Sequence, residues 1–306
     1  MHLYYNADGT PFIPSQELWE TSKQLTTACA EGDLEAVRRI LDDDESGKLI
    51  LGLSSKHNSP LLVALCAKQI DVARFLIEER GAGVNACWSG PAVGVKGSYE
   101  LVCAVGVGSR ELIELLLRHG AMTNGATTMG TTPLQTLMDW PHRSVELCRL
   151  LVDYGARVDH ADELGRSVLW LACHKCEDSE LGLIEFLLDR GADVNKVATW
   201  GHPDHGAGPL HSACMRCLPA IARLLLSRGA DVDQQHRGET PLQMARVYSR
   251  YGAYGATDRT NSDWDDLYVA TNGTMTQDKP SAIITGMDGL YRVDVDQLDG
   301  DMMKLA

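Results

Sequence analysis

The dipeptide Gly-Ala recurs at a nearly constant interval along the chain of 306 residues, and this period constrains the fold more than any other feature. The dipeptides begin at Gly81, Gly120, Gly155, Gly191 and Gly229, at spacings of 39, 35, 36 and 38 residues. Each follows an apolar run with helical spacing, such as LIELLLRH or LIEFLLDR. A repeat of about 20–50 residues indicates an architecture in which each repeat packs only against its neighbours.

A second recurring signal lies between the glycines, for example at Ser59-Pro60-Leu61, Thr132-Pro133-Leu134 and Thr240-Pro241-Leu242. Ser or Thr before Pro is typical of a helix N-cap followed by Pro at the first helical position, where no N–H is needed. A polar break such as Gly108-Ser109 then opens a second helix, which ends in a basic residue and glycine. Because one helix pair cannot bury both of its apolar faces, we expect these pairs to stack.

These residues resemble the ankyrin repeat, which has a TPLH-like start, two antiparallel helices and a GADVN-like turn. The resemblance covers residues 22–252, and it implies an all-α solenoid of helix-turn-helix repeats with fingers like β-hairpins. The first repeat lacks the Pro, as terminal capping repeats often do. The third is the most deviant, because Gly97-Ser98-Tyr99-Glu100 replaces the TPLH-like start. The seven repeats begin near Leu25, Leu61, Glu100, Leu134, Leu169, Leu210 and Leu242.

Two segments without the repeat pattern flank the predicted ankyrin-repeat domain. Residues 1–21 contain Tyr4 and Trp19 among other apolar residues, which predicts a segment packed on the first repeat. Residues 253–306 have a net formal charge of −6 and contain two β-like runs around Met287-Asp288-Gly289, which predict a hairpin. This tail either packs on the repeats or is a partner-binding segment that orders only on binding.

Two of the predicted fingers are about five residues longer than the others. Because insertions in repeat proteins often fall in loops on one functional face, both fingers are candidates for binding. One precedes the third repeat and contains Trp88, and the other precedes the sixth and contains Trp200. Each Trp either anchors a binding partner or pins an elongated hairpin against the next finger.

The resemblance also implies a concave groove lined by the finger turns and by the residues that follow the Ala-Ala-like pair of each first helix. Cations in this groove of an acidic chain would suit a partner or ligand that bears carboxylates, and an ordinary solvated surface is the alternative. The resemblance also places four further residues in the lining of this groove: Thr131, Glu163, Glu239 and Val247. The candidates are Asp139, Trp140, Arg166, His174, Lys175, Met215, Arg216, Arg237 and Tyr248.

Charge and cysteine usage limit the class of protein. The chain has 42 Asp and Glu against 28 Lys and Arg, a net formal charge of −14, which disfavours binding to nucleic acid. It shows no apolar stretch of membrane-spanning length and no signal-peptide pattern at its start. The nine cysteines are an odd number, which favours reduced thiols in a cytoplasmic or nuclear protein over a secreted disulfide framework.

Metal and cofactor motifs are weak. His202, His205, His211, Cys214 and Cys217 fall within sixteen residues and resemble a zinc site in spacing. His211, however, occupies the His of the TPLH-like motif, and Cys214 occupies a small buried slot of the first helix, so we predict structural roles for both. The acidic C-terminus fails the pattern of an EF-hand loop, and no nucleotide-binding or hydrolase motif occurs. We therefore expect neither a metal nor a cofactor.

The sequence therefore predicts a module that binds another protein through its groove and fingers. The alternative is a small-molecule-binding protein or an unusual enzyme with a pocket in the groove, closed by the long fingers or by the C-terminal segment. In that case Asp139, Trp140, His174 and Tyr248 would offer acid, base and stacking groups. The two hypotheses differ in shape, because a protein-binding groove is open whereas a small-molecule site is a closed pocket.

Overall fold

The computed structural model describes the backbone of residues 4–5, 11–12, 15–42, 59–85, 99–127, 129–198, 206–251, 281–286 and 289–294. It describes side chains for residues 15–42, 59–85, 100–127, 129–198 and 206–246. The chain divides into two compact units, Met1–Glu163 and Leu164–Ala306.

Helix pairs make up most of the described part of the first unit. Strands β1 (Tyr4–Tyr5) and β2 (Pro11–Phe12) precede them and pair antiparallel, with Tyr4 opposite Phe12. The first helices of the pairs are α1 (Gln16–Glu31), α3 (Pro60–Cys66), α5 (Tyr99–Val107) and α7 (Pro133–Met138). The second helices are α2 (Leu34–Asp42), α4 (Ile70–Arg74, continuing as a π-helix over Phe75–Glu79), α6 (Arg110–Arg118) and α8 (Val145–Asp153).

The second unit continues the same pattern and also contains the predicted hairpin. Its helices are α9 (Val168–Lys175), α10 (Leu181–Asp189, after a 3₁₀ turn over Asp178–Glu180), α11 (Pro209–Met215), α12 (Pro219–Ser227) and α13 (Pro241–Tyr251). Strands β3 (Ser281–Gly286) and β4 (Gly289–Asp294) pair antiparallel, with Gly286 opposite Gly289. The hairpin predicted around Met287-Asp288-Gly289 is therefore confirmed.

Helix N-caps begin the helices where the sequence predicts them. Thr132 and Gln135 form a reciprocal capping box, in which the Thr132 N–H donates to Gln135 Oε1 at 2.9 Å. The same position after the N-cap is taken by His211, whose Nδ1 accepts from the Gly208 N–H at 3.2 Å. The His of the TPLH-like motif is thus interchangeable with Gln in this chain. Ser59 differs, because its side chain makes no capping hydrogen bond.

The buried face of each first helix sets the register of the repeats. Leu25, Ala28 and Cys29 are buried in α1, and Leu61, Ala64 and Leu65 are buried in α3. The corresponding residues of α5 are Leu101, Ala104 and Val105. The third repeat therefore begins one residue later than Glu100, the predicted start.

Glu100 instead takes the position that Pro occupies in the neighbouring repeats. Its side chain is buried, and Oε2 makes no hydrogen bond. Burial raises the pKa of this carboxyl to about 7. The third repeat therefore lacks the TPLH-like start because a buried carboxylic acid occupies the position of its Pro.

Candidate functional site

Asparagine side chains at positions 85, 124 and 195 each fasten one finger to the next. The Asn85 side chain donates from Nδ2 to Gly120 O at 2.8 Å and accepts at Oδ1 from the Met122 N–H at 2.8 Å. Asn124 in the first unit and Asn195 in the second make the same two bonds at 2.8–3.1 Å. Sequence reasoning recognised the GVN and DVN segments that end at Asn85 and Asn195, gave their amides no role and missed Asn124, although the spacing of all three follows the repeat period.

A second set of side chains links neighbouring repeats at the C-terminal ends of the first helices, away from the fingers. Gln69 donates from Nε2 to Ala30 O at 3.0 Å, and His142 donates from Nε2 to Val105 O at 2.8 Å. In each case the donor lies one repeat after the carbonyl that it reaches. These bonds satisfy carbonyl groups at helix C-termini, which have no partner within the helix.

Arg216, one of the predicted groove cations, plays this same part in the second unit. Its guanidinium donates to His174 O at 2.8 Å, to Cys176 O at 3.0 Å and to Glu177 Oε1 at 2.7 Å. Its side chain is only 21% exposed. The structure therefore uses Arg216 to hold the end of α9, and its charge is opposed by Glu177.

Trp140 is the most exposed of the predicted groove aromatics whose side chains the structure describes. It follows α7 and is 45% exposed. Its ring stacks on His142 with centroids 6.0 Å apart, and a Cβ placed on Gly106 would lie 3.5 Å from the indole Nε1. Arg143 donates to Trp140 O at 3.0 Å, and Asp139 lies exposed beside it. The indole is thus held from two sides while much of its surface faces solvent.

His174, Lys175 and Met215 lie at the ends of α9 and α11. The His174 ring stacks on Trp170, with centroids 4.9 Å apart and planes 8° apart. Trp170 is buried, and sequence reasoning missed it. Lys175 is exposed, whereas His174 and Met215 are half-buried.

The remaining predicted site residues lie in fingers, in α13 or outside the described residues. Arg237 is exposed at a tight turn in which it and Gly238 both have positive φ, as in hairpin turns of type I′. Arg166 is half-buried and follows Gly165. Tyr248 lies in α13. Trp88 and Trp200, the residues of the two long fingers, lie outside the described residues.

Among the side chains that the structure describes, no group of three or more His, Cys, Asp or Glu is arranged to hold a metal ion. His202 and His205 of the zinc-like set lie outside those residues. Cys173 and Cys176, like Cys214 and Cys217, have CxxC spacing that sequence reasoning overlooked, and all four are buried. Burial holds the pKa values of the Cys173 and Cys214 thiols above the usual range, so these groups stay protonated and apolar.

One cysteine pair differs from the prediction of reduced thiols, because Cys66 and Cys103 form a disulfide. The bond joins α3 to α5 across neighbouring repeats.

A depression of about 990 Å³ on α1 and α2 lies elsewhere in this unit and is lined by Glu17, Lys23 and Arg39 among others. None of the predicted site residues lines it.

Comparisons with known proteins agree with this architecture. A family model described as ankyrin repeats (3 copies) matches residues 101–198, and an ankyrin repeat model matches residues 56–89 and 205–237. The chain belongs to the ankyrin-repeat family. Its fold resembles the crystal structure of the human ASB11 ankyrin repeat domain, with a TM-score of 0.55, 24% identity, and coverage of 72% of this chain and 90% of that one.

Curated relatives show the same repeats within longer chains. The mouse protein fem-1 homolog A-like is 29% identical over 224 residues, covering 72% of this chain and 33% of the relative. Human ankyrin repeat and SOCS box protein 16 is 29% identical over 276 residues, covering 71% and 58%. The mouse B-cell lymphoma 3 protein homolog is 28% identical over 231 residues, covering 72% and 47%. The match thus spans from a third to less than three fifths of these relatives.

These findings confirm the predicted family and the all-α ankyrin-repeat fold class. Ankyrin-repeat domains generally mediate protein–protein interaction, and the chain is such a domain with further residues at either end. Within the described part of the chain, no helix is long and apolar enough to cross a membrane.

Proposed function

We propose that this chain recognises another protein through the surface at the ends of the first helices, with Trp140 as an anchor. The observation that carries the proposal is the combination of exposure and fixed position at Trp140. The indole is 45% exposed, yet it stacks on His142 and lies against Gly106. Large exposed aromatic side chains in defined positions are the residues that most often dominate binding energy at protein interfaces.

The fixed position of the Trp140 ring lowers the entropy cost of binding. Immobilising a mobile side chain at an interface costs about 0.5–1.5 kcal/mol. The contacts of Trp140 with His142 and Gly106 bear part of that cost before the partner arrives. Truncating a central aromatic of this kind usually weakens binding by about 2 kcal/mol or more, which is about 30-fold in Kd.

The test compares Trp140→Ala with Tyr154→Ala. Tyr154 is a matched control because it lies in the same unit, directly after α8, and is 42% exposed. Proteins captured from the source cell by the wild-type chain are identified by quantitative mass spectrometry, and the recovered partner is then titrated directly against all three purified chains.

We expect Trp140→Ala to raise Kd about 30-fold and Tyr154→Ala to change it less than about threefold. Circular dichroism must show that both variants remain folded. Equal affinity of Trp140→Ala and the wild type for a directly binding partner would remove Trp140 as the anchor. Equal loss of binding in both folded variants would also overturn the proposal, because Tyr154 would then contribute as much as Trp140.

We place the repeat domain at residues 22–252, between an N-terminal segment, 1–21, and a C-terminal segment, 253–306. The net formal charge of −14 supports a partner other than nucleic acid. The six described cysteines outside the Cys66–Cys103 pair form no disulfide, which supports a cytoplasmic or nuclear scaffold. Among the proposed contacts, exposed Lys175 and Arg237 would suit carboxylates of the partner.

A further inference from the structure

The geometry points to a reversible thiol–disulfide switch at Cys66 and Cys103, which links the second and third repeats when oxidised. The two residues lie on α3 and α5, the first helices of adjacent repeats, and are 37 residues apart in the chain. Their Cα atoms are 6.1 Å apart, within the range of ordinary disulfides. The backbones are thus already placed for the bond to form and break without rearrangement of the repeats. This inference does not depend on the identity of a protein partner.

Access distinguishes this pair from the other described cysteines. Cys66 is exposed and Cys103 is half-buried. The described cysteines outside this pair are all buried: Cys29, Cys148, Cys173, Cys176, Cys214 and Cys217. A dissolved disulfide or thiol can therefore reach Cys66, whereas it cannot reach those six in the folded chain. Exchange requires a thiolate that is both formed and accessible, so the buried cysteines do not compete.

The oxidant is a small-molecule disulfide such as glutathione disulfide. The Cys66 thiolate attacks one sulfur of glutathione disulfide and expels one glutathione thiolate, which leaves a mixed disulfide on Cys66. The Cys103 thiolate then attacks the Cys66 sulfur, forms the protein disulfide and expels the second glutathione. The two protein thiols are oxidised, one glutathione disulfide is reduced to two glutathione molecules, and the protons of the two thiols pass to them. Excess glutathione reverses both steps.

Oxidation changes the mechanical coupling of two repeats. Repeats in such arrays contact their neighbours and otherwise separate independently, so a covalent bond between α3 and α5 makes them open together. Helix α5 also carries Gly106, against which Trp140 packs. The switch therefore lies on the helix that supports the exposed indole, although its test needs no binding measurement.

Peptide mapping tests the switch directly in the full-length chain. Cleavage after Lys and Arg places Cys66 alone in residues 57–68, Cys103 alone in residues 97–110, and Cys87 alone in the intervening residues 81–96. The folded protein is equilibrated with glutathione and glutathione disulfide at a series of ratios, free thiols are blocked, and the digest is analysed without reduction. Variants Cys66→Ser, Cys103→Ser and, as the control, Cys87→Ser are treated in parallel.

We expect a single linked species that joins 57–68 to 97–110. It should increase with the ratio of glutathione disulfide to glutathione, disappear on reduction, persist in Cys87→Ser and be absent from the other two variants. The linked form should melt several degrees higher than the reduced form, because the bond closes a loop of about 37 residues in the unfolded chain. Exclusive linkage of Cys87 to either residue would overturn the proposal. So would free thiols on both peptides at every ratio in a chain shown by circular dichroism to be folded.

Discussion

His211 makes the stability of the second unit depend on pH, and replacing it by Gln should remove that dependence. The ring is buried, and Nδ1 accepts a hydrogen bond from the Gly208 N–H at 3.2 Å. Protonation would convert this acceptor into a donor that faces another donor. Burial and the neighbouring His236, whose ring lies 5.8 Å away, lower the pKa of His211 to about 4.

The carbonyl groups of Gln234 and Glu239 and the carboxylate of Asp231 act in the opposite direction and favour the protonated ring, but more weakly. None of them accepts a hydrogen bond of standard geometry from His211 Nε2, which has no such partner. The depressed value therefore reflects burial in the first place. An imidazole in the unfolded chain has a pKa of about 6.5.

The number of protons bound in each state sets the direction in which the free energy of unfolding changes with pH. Between about pH 6.5 and pH 4 the unfolded chain binds more protons at His211 than the folded chain, so the free energy of unfolding falls as the pH falls. The contribution is fully present above pH 6.5 and is lost progressively below it. Integrating over this window gives a loss of about 2 kcal/mol between pH 7 and pH 5.

Gln is the informative replacement, because the chain itself uses Gln at this position. Gln135 and Gln243 each accept from the backbone N–H of their own N-cap at 2.9 Å. We expect His211→Gln to keep the cap and the stability at pH 7 within about 1 kcal/mol. Its loss of stability on going to pH 5 should be smaller than that of the wild type by about 2 kcal/mol.

The assay is urea unfolding followed by circular dichroism at pH 5 and pH 7, with His119→Gln as the control for an exposed histidine. The control should retain the pH dependence of the wild type. Identical pH dependence in His211→Gln and the wild type would refute the reasoning, because it would mean that His211 titrates alike in the folded and unfolded chains.

Substitutions at three further positions test the backbone and the links between repeats, each by urea unfolding. Lys68 has φ of +60°, so Lys68→Gly should stabilise by about 0.5–1 kcal/mol while Lys68→Ala gives no gain. Asn124→Asp replaces the amide donor to Gly155 O by a carboxylate oxygen and should cost about 1–2 kcal/mol; no loss would mean that the link is not formed in solution. Gly108→Ala should cost more than about 2 kcal/mol, because φ is +70° and the new Cβ would lie 2.5 Å from the His142 ring. An unchanged midpoint would contradict that contact.

The sequence was sufficient for the repeat architecture because its signals are local. Thr132 and Pro133 specify a helix start within a few residues, and the prediction there is confirmed. The hairpin at residues 281–294 follows from two short β-like runs and is likewise confirmed. Such signals need no knowledge of what lies nearby in space.

Features that join residues about 35–40 positions apart were not predictable in the same way. From the sequence alone, Asn85 is a polar turn residue, yet its side-chain amide binds two backbone groups of the next finger. The pairing of Cys66 with Cys103 requires the spacing of α3 and α5, which no single repeat encodes. The sequence predicts a start of the third repeat near Glu100, one residue early, because Glu replaces the Pro that marks this position in the neighbouring repeats.

Trp140 and Arg216 show what the structure adds to a site that was predicted from a family resemblance. Both residues follow a first helix, and both were predicted as groove contacts from equivalent positions. Arg216 has three hydrogen-bond acceptors within its own unit and a side chain that is 21% exposed. Trp140 has packing contacts that hold its ring but leaves 45% of its surface exposed. Equivalent positions can therefore hold a side chain that is bonded to the neighbouring repeat in one case and a side chain that stays exposed in another. The bonds a side chain already makes, rather than its place in the motif, decide which role remains open to it.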